Sequence, residues 1–177
     1  MTTLVVRAAD YVIEPLGAHH ERDGFTCEKL PLDGYLRNDS LRDMVCDASR
    51  VYVATLPGER VVAGFYALAA TSVRLSGVPA DVAGHLSSYR SVPATLLAQL
   101  AVDRWHKKRR LGERLLADAV TRAVRSSREV ASALIVVDAI DDDARRFYER
   151  YQFCALTDAH SRLIRRLADI ASALGVV

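Results

Sequence analysis

Cysteine is scarce in this chain of 177 residues, and the three present, Cys27, Cys46 and Cys154, are odd in number with no C-x-x-C spacing. That excludes a disulfide framework or a thiolate zinc site and suits a reducing compartment. Histidines at ligand spacing are lacking too: His19, His20, His85, His106 and His160 form no H-E-x-x-H or similar pattern, so no metal is expected. Long apolar runs are missing. Met1–Arg7 has no signal-peptide core, and no stretch approaches the length needed to span a bilayer. A soluble cytoplasmic protein with no membrane partner is expected. Excess charge of one sign is also absent: the formal net charge is only +2, so net charge makes no case for nucleic-acid binding. With no repeat, low-complexity tract or linker, residues 1–177 read as a single domain able to bury a sizeable core.

Half of the residues are apolar and about a quarter charged, as in ordinary globular proteins. Apolar periodicity organises them. A first strand is expected over residues 10–16, and helical spacing of Leu32, Tyr35 and Leu36, then of Leu41, Met44, Val45 and Ala48, predicts two short helices within 31–48. Val51–Leu56 and Val61–Leu75, separated by Pro57-Gly58-Glu59-Arg60, read as an antiparallel hairpin with a long second strand. Ala80–Leu86 suits a short helix, and Ala94–Val102 suits a central strand buried on both faces. A helix follows, with Leu111, Leu115, Leu116, Ala119, Val120 and Ala123 facing inward. Ser132–Ala139 is a second buried strand. Asp141-Asp142-Asp143 caps a helix over about Ala144–Tyr151, the acidic cluster matching the helix dipole. Strands at Cys154–Leu156 and Ser161–Arg166 and a short apolar tail, Leu167–Val177, complete the chain. The order implies an α/β fold: a mixed sheet of about six to seven strands with helices on both faces.

The charge, though balanced, is unevenly placed. Six of the seven residues from Arg104 to Arg110 are Arg, Lys or His, which suits either a solvated loop or an anion site. This run joins the strand ending Leu100-Ala101-Val102-Asp103 to the helix beginning near Gly112. A strand feeding a short polar loop into a helix is a cradle for phosphates, because loop N–H groups and the positive helix end face the anion.

Several segments, in order and spacing, resemble the N-acetyltransferases of the GNAT superfamily, and more narrowly the acetyltransferase toxins of bacterial type II toxin–antitoxin pairs. They are Phe25-Thr26-Cys27 with Leu32-Asp33-Gly34-Tyr35-Leu36, Val62–Leu68, Tyr89–Leu97 followed by Leu100–Asp103, Val137-Asp138-Ala139, Ala144 and Phe147-Tyr148. The resemblance runs nearly end to end and implies acetyl-CoA as acetyl donor. It assigns Tyr148 to protonate the departing CoA thiolate, a task a phenol near the sulfur can perform; the sequence alone favours Tyr148 as a packing aromatic, and the resemblance reverses that preference. It assigns Leu100 and Val102 to backbone contacts with the cofactor, where N–H groups polarise the acetyl carbonyl. The pyrophosphate falls to Lys107, Lys108, Arg109, Arg110, Leu111 and Gly112.

Leu115-Leu116 sets the loop register and puts Arg110 where the family has its first glycine. Arg110 has two readings: ordinary helical geometry with its side chain outward, adding charge to a formed cradle, or an obstruction that weakens cofactor binding. The intact remainder of the cradle favours the first.

No general base stands out; Asp103 and Asp138 lie near strand ends as capping or structural residues. The toxin resemblance implies acetylation of the α-amine of aminoacyl-tRNA and a block of translation, with Arg74, Arg90 and Arg104, joined by Lys107, Lys108 and Arg109, holding the acceptor stem. It also implies a small ribbon-helix-helix antitoxin, DNA contact only through that antitoxin, and leaves a homodimer open. The competing expectations are a GNAT enzyme acting on another small-molecule or protein amine, and a cofactor-impaired fold that only binds a partner.

Overall fold

The computed structural model describes residues 11–175. Its strands form one seven-stranded mixed sheet in the order β1-β2-β3-β4-β5-β7-β6, and Cα packing divides the chain into two compact units. Among the described residues, the first runs to Ala67 and includes Gln99–Asp118, and the second comprises Leu68–Ala98 and the chain from Ala119 onward.

In the first unit β1 (Val12–Pro15) pairs antiparallel with β2 (Arg50–Thr55), from Val12↔Thr55 to Pro15↔Tyr52. Asp10, the start expected for β1, lies outside the described residues. The two helices expected within 31–48 are one run: α1 (Leu30–Gly34), a π-helical turn (Tyr35–Asp39) and α2 (Ser40–Val45). The Leu36 carbonyl explains the π turn. It accepts from the Ser40 hydroxyl at 2.6 Å and from Arg22 Nη1 at 3.3 Å, and such insertions loosen the backbone ladder. Pro57–Arg60 is the expected turn, with Gly58 at φ +79°; β3 (Gly64–Arg74) follows.

Gly64 fixes how closely α4 (Leu111–Ser126) approaches this unit. A Cβ there would stand 2.9 Å from Leu115 Cδ1, 3.1 Å from the Ala101 carbonyl oxygen and 3.2 Å from Leu111 Cδ2. Only glycine lets the first turns of α4 rest that closely against the backbone. The six residues expected on the inward face of α4 are all buried.

In the second unit α3 (Ala80–Ala83) is followed by β4 (Ser91–Val102), whose end from Gln99 falls in the first unit and whose Ala94–Leu97 pair in parallel with Leu134–Val137 of β5 (Leu134–Asp138). β5 is the strand sealed on both faces, with Leu134, Ile135, Val136 and Val137 fully buried. β4 is not, contrary to expectation: Val92, Ala94, Leu97 and Ala101 are buried, whereas Leu96, Leu100 and Val102 are only half-buried. An apolar run is closed on both faces only where both faces are covered, a tertiary property that its composition cannot reveal. α5 (Asp142–Arg150) opens on Asp141, whose side chain accepts from the Ala144 N–H at 2.9 Å. β6 (Cys154–Ala155) and β7 (Arg162–Arg166) pair antiparallel. The expected apolar tail is instead helical over α6 (Leu167–Ala173), with Leu167 and Ile170 buried; Val176 and Val177 lie outside the described residues.

Candidate active site

The end of β4 is tied down by two buried carboxylates. Asp103, 5% exposed, accepts from the Trp105 N–H at 2.9 Å through one oxygen, capping a 3₁₀ turn (Arg104–His106). Its other oxygen accepts from the Thr26 N–H at 3.0 Å, and the Arg104 N–H donates to the Thr26 carbonyl at 2.8 Å. Asp33, 2% exposed, accepts from the Cys27 N–H at 2.7 Å and the Thr26 hydroxyl at 2.9 Å. Burial pushes the Asp33 carboxyl up, but the Cys27 and Thr26 hydrogen bonds outweigh it and hold the group below its ordinary range. The same setting, burial first and Asp33 second, pushes the Cys27 thiol up to about 11. Lys107 completes the clasp, donating to the Cys27 carbonyl at 3.1 Å and pairing with Glu28. Asp103 is therefore structural, as the sequence suggested.

The loop itself departs from expectation at Arg110. Its φ is +60°, and so is that of Lys108; neither is in ordinary helical geometry. Arg110 takes the left-handed conformation a glycine would, with its guanidinium folded onto Glu113 (Nε–Oε2 2.8 Å). Left-handed residues on either side of Arg109 suit the alternating turns from which anion nests are built. They lead into the first turn of α4, the positive end of the helix dipole. The donor set of backbone N–H groups flanked by Lys107, Lys108 and Arg109 thus fits a pyrophosphate.

A left-handed non-glycine residue stores about 1–3 kcal/mol of strain. Arg110→Gly is therefore expected to stabilise the fold: each net 1 kcal/mol gained raises Tm by about 2–4 °C in a chain of this size. The exposed Arg110–Glu113 pair offsets at most about 1 kcal/mol. Acetyl-CoA affinity should fall only a few-fold and show a shallower salt dependence, since a cation is lost without moving the backbone. Calorimetric scans with binding titrations check both, and a lower Tm would show that the loop carries no such strain.

Leu100, Val102, Arg104 and Lys107–Gly112 all belong to the first unit. In the second, Arg74 and Arg90 come together, both exposed, at a cleft of about 810 Å³ also lined by Ser76, Ser88 and Ser91. Tyr148 lies on α5 in the second unit, 6% exposed, with its ring edge-on to Phe147 (centroids 5.2 Å apart) and 5.6 Å from Phe153. Burial raises its phenol above the ordinary tyrosine range, and among the described residues the hydroxyl has no hydrogen-bond partner. Asp138 forms a two-pronged ion pair with Arg162 at 2.7 and 2.8 Å.

Two features escaped the sequence reading. Asp33 looks like any helix-start acid, and nothing in its spacing reveals that it organises the 26–33 segment. Trp105 was hidden by the cations around it; its being the chain's one tryptophan was the available signal. Glu14, His19 and His20 also converge, their ligand atoms within 4.8 Å of one another. His20, however, is already satisfied: Nδ1 accepts from the Gly17 N–H at 2.9 Å and Nε2 faces Glu14 at 2.9 Å.

The family model of the acetyltransferase (GNAT) family matches residues 27–153. A tRNA-acetylating toxin of Mycobacterium tuberculosis is 39% identical over 129 residues, 73% of this chain and 75% of the relative. Among solved structures, AtaT complexed with acetyl-methionyl-tRNAfMet superposes with a TM-score of 0.86 at 23% identity, covering 93% of this chain and 99% of that one. A mutant AtaT toxin bound to acetyl-CoA and the C-terminus of the antitoxin AtaR gives 0.80 at 22% identity, covering 93% and 98%.

Proposed function

The chain belongs to the acetyltransferase (GNAT) family, and from that premise we propose that it is a toxin that N-acetylates aminoacyl-tRNA and thereby blocks translation. It is an acetyl-CoA-dependent N-acetyltransferase. The observation that carries the substrate is the 39% identity with a tRNA-acetylating toxin across most of both chains.

The reaction moves an acetyl group from sulfur to nitrogen. The neutral α-amine attacks the acetyl carbonyl, the new C–N bond forms as the C–S bond breaks, and the nitrogen sheds a proton to water. N–H groups at Leu100 and Val102 on β4 polarise the carbonyl, beyond the last parallel pair, Leu97↔Val137. The loop Lys107–Gly112 holds the pyrophosphate. Tyr148 gives its proton to the departing thiolate. An α-amine is far less basic than a lysine, about 7.7–8.0 against 10.4, so much of it is already neutral and a dedicated base is unnecessary. Arg74, Arg90 and Arg104 are the phosphate contacts that hold the acceptor stem.

The proposed cellular setting is cytoplasmic, with a small ribbon-helix-helix antitoxin as partner and DNA contacted only through it. The decisive experiment incubates the protein with acetyl-CoA and a pool of charged tRNA and reads the aminoacyl ends by mass spectrometry. Acetylated aminoacyl ends are expected. Acetylation of a small amine or protein lysine, with every aminoacyl end untouched, would overturn the tRNA assignment.

A further inference from the structure

We infer that Trp105 is a stacking platform for a nucleobase of the single-stranded 3′ end of the tRNA acceptor, an inference that rests on the aminoacyl-tRNA reading. A tryptophan is normally among the most buried of side chains, and an exposed one invites a functional explanation. Trp105 is 72% exposed. It is also held in place: its own N–H is fixed by Asp103, and its neighbours are anchored through Thr26 and through the His106–Tyr11 hydrogen bond of 2.8 Å. The turn that presents the indole is therefore preorganised, and little backbone freedom remains to be lost on binding.

The surroundings specify the occupant. The Arg104 guanidinium sits 4.9 Å from the indole centroid, and Lys107, Lys108, Arg109 and Arg110 follow within five residues. A fixed aromatic face set among cations is how proteins hold single-stranded nucleic acid: the base stacks, the phosphates find the charge, and no base identity is required. An acidic protein segment would use the cations and supply a ring only where it happened to carry an aromatic, whereas every nucleotide brings both.

The adenine of acetyl-CoA is the other nucleobase at hand. The anchoring of the turn argues for the acceptor instead. Arg104, Lys107 and Asp103 are tied to Thr26, Cys27 and Glu28, ahead of α1, whereas Arg110 is tied to Glu113 at the start of α4. The platform thus belongs to the end of the loop away from the phosphate-facing turn.

Because Trp105 is the chain's single tryptophan, intrinsic fluorescence excited at the red edge, beyond the absorption of the seven tyrosines, reports on this residue alone. Titration with tRNA carrying an intact 3′ end should quench it saturably, and tRNA trimmed of its single-stranded end should not. Base–aromatic stacking of the usual strength predicts that Trp105→Ala raises the KM for aminoacyl-tRNA by roughly tenfold or more. It should leave kcat and the KM for acetyl-CoA unchanged, and Trp105→Phe should recover most of the loss. Equal quenching by intact and trimmed tRNA, or quenching by acetyl-CoA alone, would overturn the proposal. So would an unchanged KM in Trp105→Ala while aminoacyl-tRNA is still acetylated, a result that leaves the function standing. Saturable quenching by intact tRNA without acetylation of any aminoacyl end would do the reverse, keeping the platform and removing the function.

Discussion

Tyr148→Phe is expected to lower turnover at least tenfold while the protein stays folded. Tenfold corresponds to about 1.4 kcal/mol of transition-state stabilisation, the low end of what a positioned proton donor supplies. The substitution separates chemistry from packing unusually well. The ring that lies against Phe147 and Phe153 is retained, and since the hydroxyl bonds no described residue, its removal orphans no buried partner. Thermal stability should therefore change little. A residue that only packs would show the opposite pattern, with full turnover. The pH profile adds a second check. Burial raises the phenol's pKa, so the acid form persists through neutral and mildly alkaline pH. Turnover should rise as the substrate amine loses its proton and then stay flat to about pH 10, the ordinary tyrosine pKa. A descending limb near pH 8–9 would assign the proton to some other group.

Gly112→Asp should weaken acetyl-CoA binding on the order of a hundredfold. A carboxylate about 6 Å from a phosphate charge, at the effective dielectric of a protein surface, is opposed by roughly 3 kcal/mol. The same carboxylate in the first turn of α4 favours the helix dipole by about 0.3–1 kcal/mol. Affinity should thus collapse while Tm holds or rises, a divergence that simple misfolding cannot produce. Calorimetric titration of the folded variant measures it, and wild-type affinity would place the phosphates elsewhere.

Much of this architecture was legible in the residue order, and the parts that were not have a common cause. The inward face of α4, the buried β5 and the Asp141 cap of α5 follow from local periodicity and capping chemistry, which neighbouring residues alone determine. The joining of the two helices before β2 into one run is not legible, because the π turn between them depends on Arg22 reaching the Leu36 carbonyl from 14 residues away. The incomplete burial of β4 depends on what lies over it. α6 was passed over because a seven-residue helix at the end of a chain leaves too short an apolar pattern to read. Arg110 departs from expectation for a different reason: propensity argues against a left-handed arginine, yet the loop imposes glycine's dihedral regardless. Among the candidate site residues, Tyr148 is suggested by the resemblance, and the Lys107–Gly112 loop by its place between a strand and a helix as well. Trp105 became visible only through its exposure.

The clasp that holds Thr26, Cys27 and Asp33 against the end of β4 also contains a clock. Cys27 is buried, and with its pKa near 11 almost none of it is thiolate at neutral pH, whereas Cys46 is exposed. Thiolate is the form that alkylating reagents attack, so Cys46 is modified at once and Cys27 only in moments when the clasp opens. The slow phase at Cys27, followed on its own peptide and so kept apart from that of the half-buried Cys154, therefore counts openings of the segment that anchors the basic loop. Any ligand that grips that loop in its closed form slows the count by the free energy with which it binds.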